Sequence, residues 1–101
     1  MEYLTLCGHF VWRNNTGVAS YGDRRVFFGK VGSADILGVH KGTGKIIAIE
    51  VKRPDGKRKA TPAQELFLQE IRDRGGYAGI AMSIEDVDKV LMGDSTVGNR
   101  L

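Results

Sequence analysis

The sequence predicts an α/β domain whose central mixed sheet is flanked by helices, and three observations carry that prediction. Two strand-like runs, 34–39 and 45–52, are separated by Lys41-Gly42-Thr43-Gly44, a turn-rich loop that signals a β-hairpin. Thr61-Pro62-Ala63-Gln64 opens a helix: threonine caps, proline fits the first helical position, and Gln64 stands where a capping box takes Glu or Gln. A buried strand over 77–83 and a last helix over 84–92 complete the mixture.

Taken in order, residues 2–8 suit a short helix ending at Gly8, and residues 9–13 suit a strand because they are aromatic and β-branched. Asn14, Asn15 and Gly17 mark a turn, and the polar stretch 18–25 reads as loop. Val26, Phe27 and Phe28 suit a short strand, followed by a glycine-containing loop over 29–32. After the hairpin, the helix from Thr61 carries Ala63, Phe67 and Ile71 on one face with Leu68 beside them, and Gly75-Gly76 ends it. Ser83 caps the final helix, with Glu85 and Asp86 in its first turn, where the helix dipole favours acids. The coarse order is short helix, strands, helix, strand, helix. The polar tail 94–101 reads as mobile, leaving 1–93 as one domain.

Bulk composition narrows the function classes. The 101 residues suffice for one domain, and 42% hydrophobic with 27% charged residues allows a packed core rather than wholesale disorder. A net charge of +3 permits nucleic-acid binding without requiring it. The run over 52–59 places five basic side chains against one acid, which is either a solvated loop or a phosphate-gripping one. The single cysteine, Cys7, excludes an intrachain disulfide and a cysteine-rich zinc site, and fits a reducing cytoplasm. His9 and His40 match no metal-ligand spacing. No apolar stretch is long enough to span a membrane, and no basic segment precedes an apolar one as a secretory signal requires.

The chemistry-bearing pattern is Asp35 followed by Glu50-Val51-Lys52. Side chains alternate along a strand, so Glu50 and Lys52 share a face about 7 Å apart, while Ile49 and Val51 point the other way into apolar packing. The hairpin puts Asp35 on the partner strand, within reach of Glu50. Two carboxylates held together are costly unless a cation lies between them. Oxygen donors without cysteine or histidine favour Mg²⁺ or Mn²⁺. An ammonium beside such a site would orient water or stabilise charge on phosphoryl oxygens. The competing reading is a solvent-facing Glu-x-Lys pair and a turn acid. Against it, residues 46–49 are almost wholly apolar, so this strand reads as buried on both faces.

Gly32-Ser33-Ala34-Asp35-Ile36-Leu37-Gly38, Ile49-Glu50-Val51-Lys52, Gln64 with Phe67-Leu68, Gly75-Gly76 and residues 81–87 together resemble the VRR-NUC domain. That family is a virus-type replication and repair nuclease branch of the PD-(D/E)xK superfamily. Val11-Trp12-Arg13-Asn14-Asn15-Thr16-Gly17 resembles its N-terminal region, so the likeness covers roughly residues 9–91.

The resemblance implies a restriction-endonuclease-like core and a metal-dependent DNA endonuclease. Asp35, Glu50 and the Val51 carbonyl would ligate the metal, Lys52 would be the catalytic lysine, and Gln64 would position substrate or water besides capping its helix. The family's longer first helix carries a glutamate. Here only Glu2 is available for that part, and it reads more readily as a solvated terminal acid. Small stand-alone members resemble structure-specific enzymes that act as homodimers on branched DNA such as four-way junctions, in a bacterial or phage-infected cytoplasm. Symmetry then places two sites on two strands. Cleavage would leave a 5′-phosphate and a 3′-hydroxyl. Arg53, Lys57, Arg58 and Lys59 would grip backbone phosphates, and Arg13, Arg24, Arg25 and Lys30 extend that surface or are ordinary surface charge. Two rivals are a non-catalytic DNA-binding module of the same fold and a sequence-specific endonuclease; no base-reading helix supports the latter.

Overall fold

A computed structural model describes residues 1–14, 17–55 and 59–93, with the backbone alone at 17–19 and 26–28. The elements are α1 (Glu2–Leu6), β1 (Phe10–Arg13), β2 (Gly17–Tyr21), β3 (Arg24–Phe28), β4 (Ile36–Val39), β5 (Ile46–Val51), α2 (Pro62–Asp73), β6 (Tyr77–Ala81) and α3 (Ile84–Leu91). The expected mobile tail at 94–101 lies outside the described residues.

Four strands form the main sheet in the order β1-β4-β5-β6. The first two pairings are antiparallel and β5 runs parallel to β6, so the sheet is mixed. The antiparallel β4–β5 pair is the expected hairpin, with Leu37 opposite Ala48 and Ile36 opposite Ile49. A parallel neighbour needs a crossover, and α2 supplies it between β5 and β6.

Alternation along β5 divides the core into two layers. Ile47 and Ile49, both fully buried, meet Leu4, Ile36, Ala81 and Val90 on the face covered by α1 and α3. Ala48 meets Ala34, Leu68 and Ala78 on the face covered by α2. Burial on both faces therefore holds for residues 47–49. Leu68, not the Ala63-Phe67-Ile71 row, is the deeply buried residue of α2: Phe67 and Ile71 are half-buried and Ala63 is exposed.

Two expectations are corrected. Residues 18–25 are not loop: they form most of the β2–β3 hairpin, with Tyr21 opposite Arg24. Among the described residues five strands therefore precede α2, one more than the four strand-like runs read from the sequence. The overlooked signal is Gly22-Asp23, a two-residue turn in which Gly22 takes φ +63, a conformation glycine adopts without steric cost. Val51 is 51% exposed rather than packed, because the end of β5 reaches past the cover on that face. Among the described residues, no helix is long and apolar enough to cross a membrane.

Candidate active site

Asp35, Glu50, Lys52 and Gln64 converge at one end of the sheet, each for a local reason. Glu50 follows Ala48 on the α2 side of β5, and the residue is buried at 2% exposure. Lys52 lies one pleat further on the same face, its backbone N–H donating to Ala81 O at 3.0 Å. Gln64 faces both from the first turn of α2. The capping box holds it there: Gln64 N–H donates to Thr61 Oγ1 at 3.1 Å, and Thr61 N–H donates to Gln64 Oε1 at 2.8 Å.

The polar atoms form a short network. Gln64 Nε2 donates to Glu50 Oε2 at 3.0 Å, and Lys52 Nζ donates to Gln64 Oε1 at 3.3 Å. Lys52 Nζ lies 3.4 Å from Glu50 Oε2. Glu50 Oε1 is buried and has no hydrogen-bond partner. Burial, then the Asp35 charge, push the Glu50 carboxyl above its ordinary pKa, while Lys52 pulls the other way.

Asp35 sits one residue before β4 rather than within a strand. It is still fixed, because its Oδ2 accepts the Val51 N–H at 2.9 Å. Asn14 pins the same segment from β1: its N–H donates to Asp35 O at 2.7 Å, and its amide donates to Ser33 Oγ at 2.6 Å and Ala34 O at 2.9 Å. Sequence reasoning took Asn14 as part of a turn and of the segment resembling the family's N-terminal region, and no periodicity could have shown this long-range role. A cleft of about 450 Å³ opens beside Asp35, lined by Met1, Arg13, Asn14, Ile36 and Val51 as well. Glu50, Lys52 and Gln64 do not line it.

Other candidates fare differently. Glu2 is exposed on α1 and does not line the cleft, although its neighbour Met1 does. Arg53 and Lys59 are exposed on the connection between β5 and α2, and Lys57 and Arg58 lie outside the described residues.

The donor set fits a hard divalent cation in part. The unpartnered Glu50 Oε1 and the adjacent Asp35 supply anionic oxygens that gain from a cation. Among the described residues there is no group of three or more His, Cys, Asp or Glu side chains, so Asp35 and Glu50 are a pair. A third protein ligand would have to be a backbone oxygen such as that of Val51. Fold and site together define a mixed α/β protein with an acid–amine–amide cluster at the end of its central sheet. No family model matches this chain, and no curated protein matches it.

Proposed function

We propose that this protein is a metal-dependent DNA endonuclease with a PD-(D/E)xK-type core. The observation that carries the reading is Glu50: a buried carboxylate pressed against a second acid, with one oxygen unpartnered and an ammonium 3.4 Å from the other. A structural ion pair has no use for the second acid, which raises the cost of the first.

Asp35, Glu50 and the Val51 carbonyl would hold Mg²⁺ or Mn²⁺. Such an ion, when bound, supplies positive charge at a scissile phosphate and a more acidic water. The chain's own groups do the rest. Lys52, partly buried at 14% side-chain exposure, presents a point charge that stabilises negative charge gathering on phosphoryl oxygens. Gln64 fixes the Glu50 carboxylate by one amide atom and the Lys52 amine by the other. Asn14 holds the backbone that carries Asp35. Arg53 and the basic run over 57–59 would neutralise phosphates beside the cut. Branched DNA and a homodimer are the substrate and assembly this reading favours, on the resemblance described above.

The test is cleavage of labelled branched, duplex and single-stranded DNA with Mg²⁺ or Mn²⁺, wild type beside Lys52→Ala. Metal-dependent cutting lost in the variant is expected. DNA binding without cutting of any substrate would instead favour a non-catalytic DNA-binding module. One observation favours that second reading: Lys52, Glu50 Oε2 and Gln64 are bonded to one another as a closed set.

A further inference from the structure

The α1/α3 face of the main sheet stays open at the end where the acids lie. Arg13 stands opposite Ile36, and Ile36 opposite Ile49, so all three share that face with Val51, one pleat beyond Ile49. Two hollows meet there. The first is the cleft beside Asp35, lined by Arg13 among others. The second, of about 270 Å³, lies between α1 and the start of α3, where Leu4, Ile49, Ala81, Met82 and Ile84 line it. Met1, Ile36 and Val51 line both, so the two form one trough.

One end of the trough is cationic and the other apolar. Arg13 is exposed, and no carboxylate among the described residues pairs with it, although Asp35 lines the same cleft. Lys52, not Arg13, is the cation that acts on Glu50. At the other end Met82, Val51 and Ile84 are 46%, 51% and 54% exposed around one hollow. The polar side chains there are engaged elsewhere: Tyr3 Oη donates to Asp88 Oδ1 at 2.6 Å, and Ser83 Oγ accepts the Asp86 N–H at 3.2 Å.

That chemistry selects an occupant with an anionic head and a small apolar body. A guanidinium suits phosphate, whose oxygens it can take in pairs. The hollow falls short of the range of about 300–1,000 Å³ that holds drug-sized ligands. It has room for one ring system, not for a protein surface, which needs about 800 Å² a side. A phosphate joined to one ring system is a nucleotide, and Asp35 at the cationic end puts that phosphate beside the acidic site.

We propose that the trough is a nucleotide subsite, with Arg13 holding a phosphate and the hollow behind Val51 holding an unpaired base. This rests on the nuclease reading for its choice of a nucleic acid, and it narrows the substrate. A base stacked and paired in a duplex cannot enter the hollow. The nucleotide beside the cut must be unpaired or flipped out, which costs least where the base already lacks a partner.

The test is binding, without divalent metal, to a duplex carrying one unpaired 2-aminopurine nucleotide and to the same duplex with that base paired. Wild type should bind the first tighter by about tenfold or more, since unpairing is already done, and the fluorescence should rise as the base leaves its neighbours. Met82→Ser/Ile84→Ser, at two exposed positions, should abolish the preference and the fluorescence change, and keep the salt dependence. Arg13→Gln should flatten the log affinity against log salt slope by about 0.9. A methylphosphonate replacing one of the phosphates that flank the unpaired nucleotide should weaken wild type and not Arg13→Gln. Equal wild-type binding to both duplexes, a comparison that needs no variant, would overturn the subsite. So would a preference that survives in the serine variant, or a serine variant changed only in sedimentation, dimer to monomer, since the hollow would then join two copies. Cleavage with Mn²⁺ separates the two readings. Wild type that prefers the unpaired nucleotide through Met82 and Ile84 but never cuts overturns the nuclease and keeps the subsite. Wild type and serine variant that both cut the two duplexes alike overturn the subsite alone.

Discussion

Gln64 serves two masters: its Oε1 accepts the Thr61 N–H at 2.8 Å, and its Nε2 donates to Glu50 Oε2 at 3.0 Å. One side chain therefore closes the N-terminus of α2 and steadies the acid at the end of β5. The cap and the site are mechanically joined, and single substitutions can separate them.

Thr61→Ala removes the hydroxyl that accepts the Gln64 N–H and leaves the Glu50 contact. It should cost about 1 kcal/mol in chemical denaturation, the usual value of an N-cap, and change cleavage little. Gln64→Ala should cost a comparable stability and also lower the cleavage rate, because Glu50 and Lys52 both lose a partner. Equal loss of cleavage in the two variants would show that Gln64 acts only through the helix.

Glu50→Gln removes a buried charge whose pKa is raised by burial and by Asp35. At neutral pH without divalent metal the variant should melt higher than wild type. Mn²⁺ should raise the wild-type melting point, by a free energy of about 2.7 kcal/mol at a hundredfold excess over its dissociation constant, and leave Glu50→Gln unmoved. A variant that responds to Mn²⁺ like wild type would place the ion elsewhere.

The pH dependence of stability follows from two groups with opposite signs. Glu50 binds its proton more tightly folded than unfolded, so its stabilising share is complete below the ordinary glutamate pKa and is lost as pH rises through the raised folded value. His9 is buried, and burial first, then His40 and Lys41, lower its pKa. Its share is present above the ordinary histidine pKa and is lost as pH falls towards the lowered folded value. Metal-free stability should therefore show two opposed pH components. Glu50→Gln should delete the one that weakens the protein as pH rises, as read from denaturant midpoints across pH 4 to about 8, the span that covers the ordinary carboxylate and imidazole values.

Gly38 faces β1 at its closest approach: a Cβ there would collide with Val11 and with the Phe10 carbonyl. Gly38→Ala should destabilise by on the order of 3 kcal/mol through overpacking. Because β1 carries Asn14, cleavage should fall with it. A neutral result in thermal melting would mean that β1 shifts freely on β4.

Several features were legible because they are local. The capping box of α2, the serine N-cap of α3, the hairpin joining β4 to β5, and the common face of Glu50 and Lys52 all follow from side-chain chemistry over a few residues. The β2–β3 hairpin was missed for the converse reason: residues 20–25 are all exposed and show no hydrophobic alternation, and only Gly22-Asp23 marked the turn.

The sequence by itself determined which groups could share a strand face or cap a helix, since backbone geometry sets those relations within a turn or a pleat. Tertiary structure alone decided which of them meet. It brought Asp35 to the Val51 N–H and to Glu50, placed Gln64 over both Glu50 and Lys52, tied Asn14 to the Asp35 segment, and left Val51 exposed. Those contacts cross the sheet or join it to α2, and they exist only once two apolar layers have packed around β5 and excluded water from Glu50.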